Sequence, residues 1–435
     1  MPMDIIIIGA GPGGYELAAE ARKEGLNVLL IEKNALGGTC LNRGCIPTKA
    51  LLASASTLRT ARDASSMGID IGMINPRYDR AVERKDEIVS QLREGVMMAL
   101  EGVTVIEGEA RFVSADTVEV NGERYSAPRI VIATGSQPAR LDIPGGETAI
   151  TSDELLSMTS LPQSIAIIGG GVIGIEFACI LHEFGVDVTV IEYCKEILPP
   201  FDRDIAKRLR TLLGRRGIRI AVGAAVTAIG EGSVTYEQKG KSVTIETDAT
   251  LMAVGRKPVI PAGLAGLGVE ITPRGITVNP VTMETNLPGI YAIGDVNGIC
   301  MLAHAASAQA ERFMGHIVNL DIIPAAVFSH PECAMTGLTE EQCQQRGLSY
   351  KTGKSLFRAN GKAVAMNETD GMVKLIADSD TGKLLGCHIM GPHASDLVQA
   401  VSDMMNLGAT VSDLARSIHA HPTLSEAVQA AARAL

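Results

Sequence analysis

A chain of 435 residues has room for two to four domains, and with 46% hydrophobic and 20% charged residues it suits a core-rich enzyme rather than a disordered segment. A net charge of −10 argues against general binding to nucleic acid or anionic membrane, and the absence of Trp removes the usual base-stacking platform. No basic leader precedes the first apolar run, and the most apolar stretch, Ile165 to Leu181, is interrupted by glycines and Glu176. A cytoplasmic protein with neither secretory signal nor membrane span is therefore expected.

The chain opens with DIIIIGAGPGGYELAAEARKEGLNVLLIEK, Asp4 to Lys33. An apolar β-branched run, a G-x-G-x-x-G loop at Gly9, Gly11 and Gly14, and a helix-like apolar spacing lead to a second strand ending at Glu32. The first glycine permits a tight turn, the second lets a pyrophosphate approach the backbone, and the third lets the helix lie close to the strand. A carboxylate at the end of the second strand can accept hydrogen bonds from a ribose, although a solvated strand end would read the same way.

Directly afterwards comes GGTCLNRGCIPTKALL, Gly37 to Leu52. Along a regular helix the five residues from Cys40 to Cys45 rise about 7.5 Å, whereas bridged Cα atoms lie roughly 4.4–6.8 Å apart. A bridge needs a deformed turn, which Gly44 and Pro47 permit, and a helix N-terminus there favours the thiolate. Two core cysteines or half a zinc site are the alternatives, and the second lacks a partner pair nearby. The six other cysteines have no comparable setting.

ATGSQPARLDIPG, Ala133 to Gly145, reads as a strand exit and a crossover loop. The opening unit then recurs as SIAIIGGGVIGIEFACILHEFGVDVTVIEY, Ser164 to Tyr193, with Gly169, Gly171 and Gly174. From first glycine to closing glutamate the offset is 23 residues in both copies, Gly9 to Glu32 and Gly169 to Glu192. Two such units predict two dinucleotides. Glu192, with only Lys195 as a nearby cation, would repel a 2′-phosphate, which favours NAD over NADP. Lys49 and Glu176 lie in apolar surroundings where each is costly to bury alone, so they either pair or reach solvent.

Further on, GIYAIGDVN puts Asp295 after a glycine at a strand-to-helix turn. From about Ala325 strands such as MVKLIAD and KLLGCHIMG and a closing helix pair predict an α+β unit without a glycine fingerprint. The last motif, SIHAHPTLSEAVQAA, holds His421 before a proline and a T-x-x-E capping pattern from Thr423 to Glu426. Glu426 reads as a helix cap or as the orienting partner of a general base. His419 and His421 resemble a metal-binding pair only if further ligands join them, and none cluster in the sequence; no metal is expected.

GGTCLNRGCIPTK resembles the active-site disulfide motif of the class I pyridine nucleotide–disulfide oxidoreductases, and the similarity covers essentially the whole chain in order. It implies an α/β protein with two Rossmann-like dinucleotide-binding domains and a C-terminal α+β dimerisation domain. The division expected is residues 1–149 for FAD and the redox pair, 150–272 for NAD, 273–324 completing the FAD site, and 325–435 for the interface. By resemblance, FAD would contact Gly9, Gly11, Gly14, Glu32, Lys49, Thr134, Gly135, Asp295 and Ala303. NAD would contact Gly169, Gly171, Gly174, Glu192 and Gly255. Cys45 would face the flavin and Cys40 the substrate, with Lys49 and Glu176 paired beside them. His421 would be the base and Glu426 its orienting acid, supplied by the other chain of a homodimer.

Within that family the chain looks most like members that oxidise dihydrolipoyl groups on a carrier protein of a 2-oxoacid dehydrogenase or related complex. Glutathione-reducing members need cations after the second unit's strand, and mercury-reducing members carry an extra C-terminal cysteine pair; neither feature is present. A flavoprotein that only binds or senses is the remaining alternative, against which the retained Cys40, Cys45, His421 and Glu426 speak. Arg43 inside the cysteine loop is a departure from the commonest form of the motif.

Overall fold

The computed structural model describes residues 3–435. Both glycine-loop units form parallel sheets. In the first, Ile290–Ala292, Ile130–Ile132, Ile5–Ile8, Val28–Glu32 and Thr104–Glu107 lie side by side in that order. In the second the order is Arg219–Val222, Asp187–Glu192, Ser164–Ile168 and Ala249–Met252. All four isoleucines of Ile5–Ile8 are buried, as expected for a parallel strand covered on both faces, where the apolar run is continuous.

Each sheet changes direction beside its first strand. After Ile5–Ile8 the chain builds outward through Val28–Glu32, while Ile130–Ile132 returns on the opposite side. Ser164–Ile168 is flanked in the same way by Asp187–Glu192 and Ala249–Met252. Such reversals open a crevice at the carboxyl ends of the strands, where ligands bind in open α/β sheets. Both glycine loops emerge at these crevices. Strand Ile290–Ala292, late in the chain, completes the first sheet and brings the Gly294–Asn297 turn to it.

Three-stranded antiparallel sheets are attached to each unit, spanning Arg111–Ser126 in the first and Ala224–Glu246 in the second. The sequence reading did not separate these from the nucleotide folds. The C-terminal part is antiparallel, in the order Ala325–Val327, Glu332–Gly337, Leu384–Gly391, Met372–Asp378 and Tyr350–Leu356. Helices Ala394–Asn406 and Glu426–Arg433 contribute buried residues to its apolar cluster. Another cluster joins Leu51 of the cysteine-bearing helix, the second nucleotide unit, and Val327, Cys333, Met372 and Met390 of the C-terminal sheet. A continuous core of this kind fixes the units against one another.

Buried charge strengthens that junction. Lys374, 1% exposed, donates to both oxygens of Asp202, at 3.0 and 2.8 Å, and to Asp204 at 3.1 Å. Removing Lys374 would strand the buried Asp202 carboxylate, which is far costlier than losing a surface pair, whereas loss of Asp202 would leave Lys374 with Asp204 and Glu340.

Candidate active site

The two glycine loops superimpose in their local constraints. Gly9 and Gly169 have φ of +104° and +108°, a region that favours glycine, and a Cβ at either would sit 2.3 Å from the carbonyl of Ala133 or Ala253. A Cβ on Gly14 would lie 1.9 Å from the Gly9 carbonyl, and one on Gly174 2.0 Å from that of Gly169. At Gly11 and Gly171 a Cβ would meet no protein atom within 4 Å. First and third glycines therefore serve the packing, while the second opens the backbone to a ligand. At the starts of helices Pro12–Lys23 and Val172–Glu183, such loops have the geometry that suits phosphates.

Glu32 and Glu192 do more than end their strands. Glu32 accepts from the Ala10 N–H at 2.7 Å and the Asn34 N–H at 2.8 Å; Glu192 accepts from Gly170 and Cys194, both at 2.6 Å. Each buried carboxylate thus braces its glycine loop. A carboxylate has about four acceptor sites, so two remain for a ribose.

One continuous cavity of about 2450 Å³ runs along both loops. Ligand pockets usually measure about 300–1,000 Å³, so this space suits more than one small ligand. Every residue expected to hold a cofactor lines it except Gly174, which lies behind Gly169; the wall includes Thr134, Gly135, Gly255, Asp295 and Ala303. The loops, the open second glycines and the acceptor pairs fit two dinucleotides.

Cys40, Cys45, Lys49 and Glu176 share that wall. Helix Gly38–Arg43 ends at Gly44 and helix Cys45–Asp63 begins at once, so the regular helix that would hold the sulfurs apart is broken between them. Both cysteines are free thiols, and Cys40 donates a hydrogen bond to Cys45. That bond raises the Cys40 pKa far above the ordinary thiol range, with burial adding to it. It brings Cys45 down to about 7, helped by Lys49 and opposed by burial and Glu176. One sulfur is poised as a thiolate while the other keeps its proton.

Lys49 Nζ lies 3.0 and 2.9 Å from the two oxygens of Glu176 and 4.6 Å from the Phe328 ring centre. Glu176 is 4% exposed and also accepts from the Phe328 N–H at 3.0 Å. Three parts of the chain therefore meet here, one of them an amide that no sequence pattern could single out.

His421 and Glu426 stand elsewhere. His421 Nδ1 is 3.0 Å from Glu426 Oε1, but neither residue lines the cavity, and the His421 side chain is 79% exposed. Glu426 Oε2 accepts from the Thr423 N–H at 2.9 Å, which, with His421, holds its carboxyl below the usual range. The capping pattern is realised only in half. Thr423 Oγ1 donates to the Ala420 carbonyl, and the helix begins at Glu426. One carboxylate oxygen serves the chain turn and the other the histidine.

The family description "pyridine nucleotide-disulphide oxidoreductase" matches residues 3–310, and that of its dimerisation domain matches residues 323–432. The chain belongs to the pyridine nucleotide-disulphide oxidoreductase family. It is accordingly an FAD-dependent, NAD-linked dithiol–disulfide oxidoreductase with two Rossmann-like units and a C-terminal α+β unit. Among its relatives, the dihydrolipoyl dehydrogenase of Bacillus subtilis (strain 168) is 40% identical, over 99% of this chain and 97% of that one. That of Chlamydia muridarum is 39% identical over 97% and 94%. A solved structure, the HOCl-induced flavoprotein disulfide reductase RclA from Escherichia coli, superimposes with a TM-score of 0.87 at 30% identity, covering 99% of each chain. No helix among the described residues is long and apolar enough to cross a membrane.

Proposed function

We propose that the chain oxidises protein-bound dihydrolipoyl groups with reduction of NAD+, as a homodimer serving a 2-oxoacid dehydrogenase or related complex in the cytoplasm. The unequal thiol pair carries the chemistry of this reading. The substrate class is supported by relatives 37–40% identical over nearly the full chain that bear the name dihydrolipoyl dehydrogenase. Glutathione-type chemistry has no comparable support in the residues near Glu192.

The thiol pair cycles between dithiol and disulfide. From the disulfide, a substrate thiolate attacks Cys40 Sγ, a mixed disulfide forms, and Cys45 leaves as the thiolate that Lys49 favours. His421 of the partner chain accepts the proton of the attacking thiol, with Glu426 holding its ring. The second substrate thiol then attacks the mixed disulfide, and the substrate departs oxidised while Cys40 recovers its proton. FAD, when bound, carries the electron pair from the thiol pair to NAD+.

Gly9, Gly11, Gly14, Glu32, Thr134, Gly135, Asp295 and Ala303, with Lys49, hold FAD in this reading. Gly169, Gly171, Gly174, Glu192 and Gly255 hold NAD. The assay is NAD+ reduction by the purified holoprotein with dihydrolipoamide. Robust turnover supports the proposal; absence of turnover, together with NADH-driven reduction of a different disulfide, overturns the substrate assignment.

A further inference from the structure

Arg256 stands immediately after Gly255, on the short strand Arg256–Pro258 that pairs with Ser136–Pro138 at the crossover between the nucleotide units. Its Nε donates to Ser136 Oγ at 2.7 Å and its Nη2 to the Ser136 carbonyl at 2.7 Å, a forked grip on one residue. Ser136 Oγ in turn donates to Asp295 Oδ2 at 2.5 Å. Nη2 also reaches Thr39 Oγ1, next to Cys40, at 3.5 Å. One guanidinium therefore joins the short strand Arg256–Pro258, Ser136, the Gly294–Asp295 turn and the cysteine segment.

The direction of this chain follows from the chemistry of its members. Arginine has no acceptor, so the Ser136 oxygen must receive its Nε–H. The single hydroxyl proton of Ser136 is then committed to Asp295. Oδ2 of Asp295 is engaged by protein, and Oδ1, which receives no hydrogen bond among the described residues, faces the cavity. Without the arginine, Ser136 could rotate its proton elsewhere and Asp295 would lose its fixed aim. Ser136 is buried, and its bonds to Arg256 and Asp295 are part-buried at the cavity wall.

We propose that Arg256 is a positioning residue: through Ser136 it aims the Asp295 carboxylate at the FAD site. The proposal rests on the reading of Asp295 as an FAD-contacting residue. It makes the short strand Arg256–Pro258, which follows the second unit's sheet, part of the flavin site's support.

The test is the FAD dissociation constant of the full-length protein, read from flavin fluorescence, in Arg256→Met, Arg256→Lys, Ser136→Ala, Asp295→Asn and the Arg256→Met/Asp295→Asn double variant. Arg256→Met and Ser136→Ala should each weaken binding by about ten-fold, in keeping with loss of a hydrogen bond to a charged group. Arg256→Lys still donates and cannot accept, so it should recover most of the loss. In the double variant the arginine change should add less than about two-fold to Asp295→Asn, because it acts through that carboxylate. A general loss of structure would instead weaken binding additively and would not be rescued by lysine. Should Arg256→Met fail to fold, Ser136→Ala alone and combined with Asp295→Asn makes the same comparison. Wild-type affinity in Arg256→Met or Ser136→Ala, alongside a damaged Asp295→Asn, overturns the positioning role alone. Wild-type affinity in Asp295→Asn removes the flavin role of Asp295 and the positioning role with it.

Discussion

The cysteine pair and the His421–Glu426 pair belong to one proposed reaction yet sit in opposite surroundings. Cys40 and Cys45 lie on the wall of a deep cavity, with Lys49, Glu176 and the Phe328 amide supplying charge and hydrogen bonds from three parts of the chain. His421 projects from the surface at 79% exposure, supported by one carboxylate and away from the cavity. The first arrangement is complete in a single chain and already polarised. In the proposed reaction the second is a base standing away from its own chain's cavity, and the dimerisation match over residues 323–432 fits a complement supplied by a second copy.

The largest effect expected from breaking this contrast is at the sulfurs. Cys40→Ser and Cys45→Ser should each lower dihydrolipoamide turnover by at least about a thousand-fold, since each removes a bond-forming atom. Their spectra should differ. With Cys40 replaced, the remaining Cys45 thiolate beside the flavin should give long-wavelength charge-transfer absorbance, and with Cys45 replaced the band should be missing. Identical spectra would contradict the division of roles.

His421→Gln should cost about a hundred- to ten-thousand-fold in turnover, the usual range for a general base. Turnover near the parental value would remove His421 from the proton transfer.

Acidity gives the smallest and most specific effect. Because the Cys45 pKa is lowered to about 7, its thiolate grows as pH rises through 7 and is largely formed by pH 8, where an ordinary thiol remains mostly protonated. Iodoacetamide labelling of the dithiol protein should fall about ten-fold per pH unit below 7, once proton binding limits the thiolate. Lys49→Met removes a contributor to that lowering and should move the profile to higher pH. An unmoved profile would assign the shift to Cys40 alone.

Much of this architecture was legible in the sequence because its signals are local. The glycine loops announce themselves by spacing, and the break between Cys40 and Cys45 follows from Gly44. What remained hidden joins residues far apart in the chain. Ser136 meets Asp295 across 159 positions and Arg256 across 120, and Glu176 takes a backbone N–H from Phe328, a group that carries no residue signature. The bracing of the loops by Glu32 and Glu192 was hidden for another reason. A strand-end glutamate reads equally as a ribose acceptor, and only the bonds to Ala10, Asn34, Gly170 and Cys194 reveal its second task. The capping pattern at Thr423 was visible but only half used, because His421 takes one oxygen of Glu426.

The shared site is tested most directly by refolding Cys40→Ser chains together with His421→Gln chains and isolating the mixed dimer, identified by mass spectrometry. In such a dimer one site would carry both lesions and the other neither. Dihydrolipoamide turnover should therefore return to about half the parental rate per dimer, from two nearly inactive parents. If each site were confined to one chain, every site would retain a lesion; a confirmed mixed dimer no more active than its parents would contradict the account.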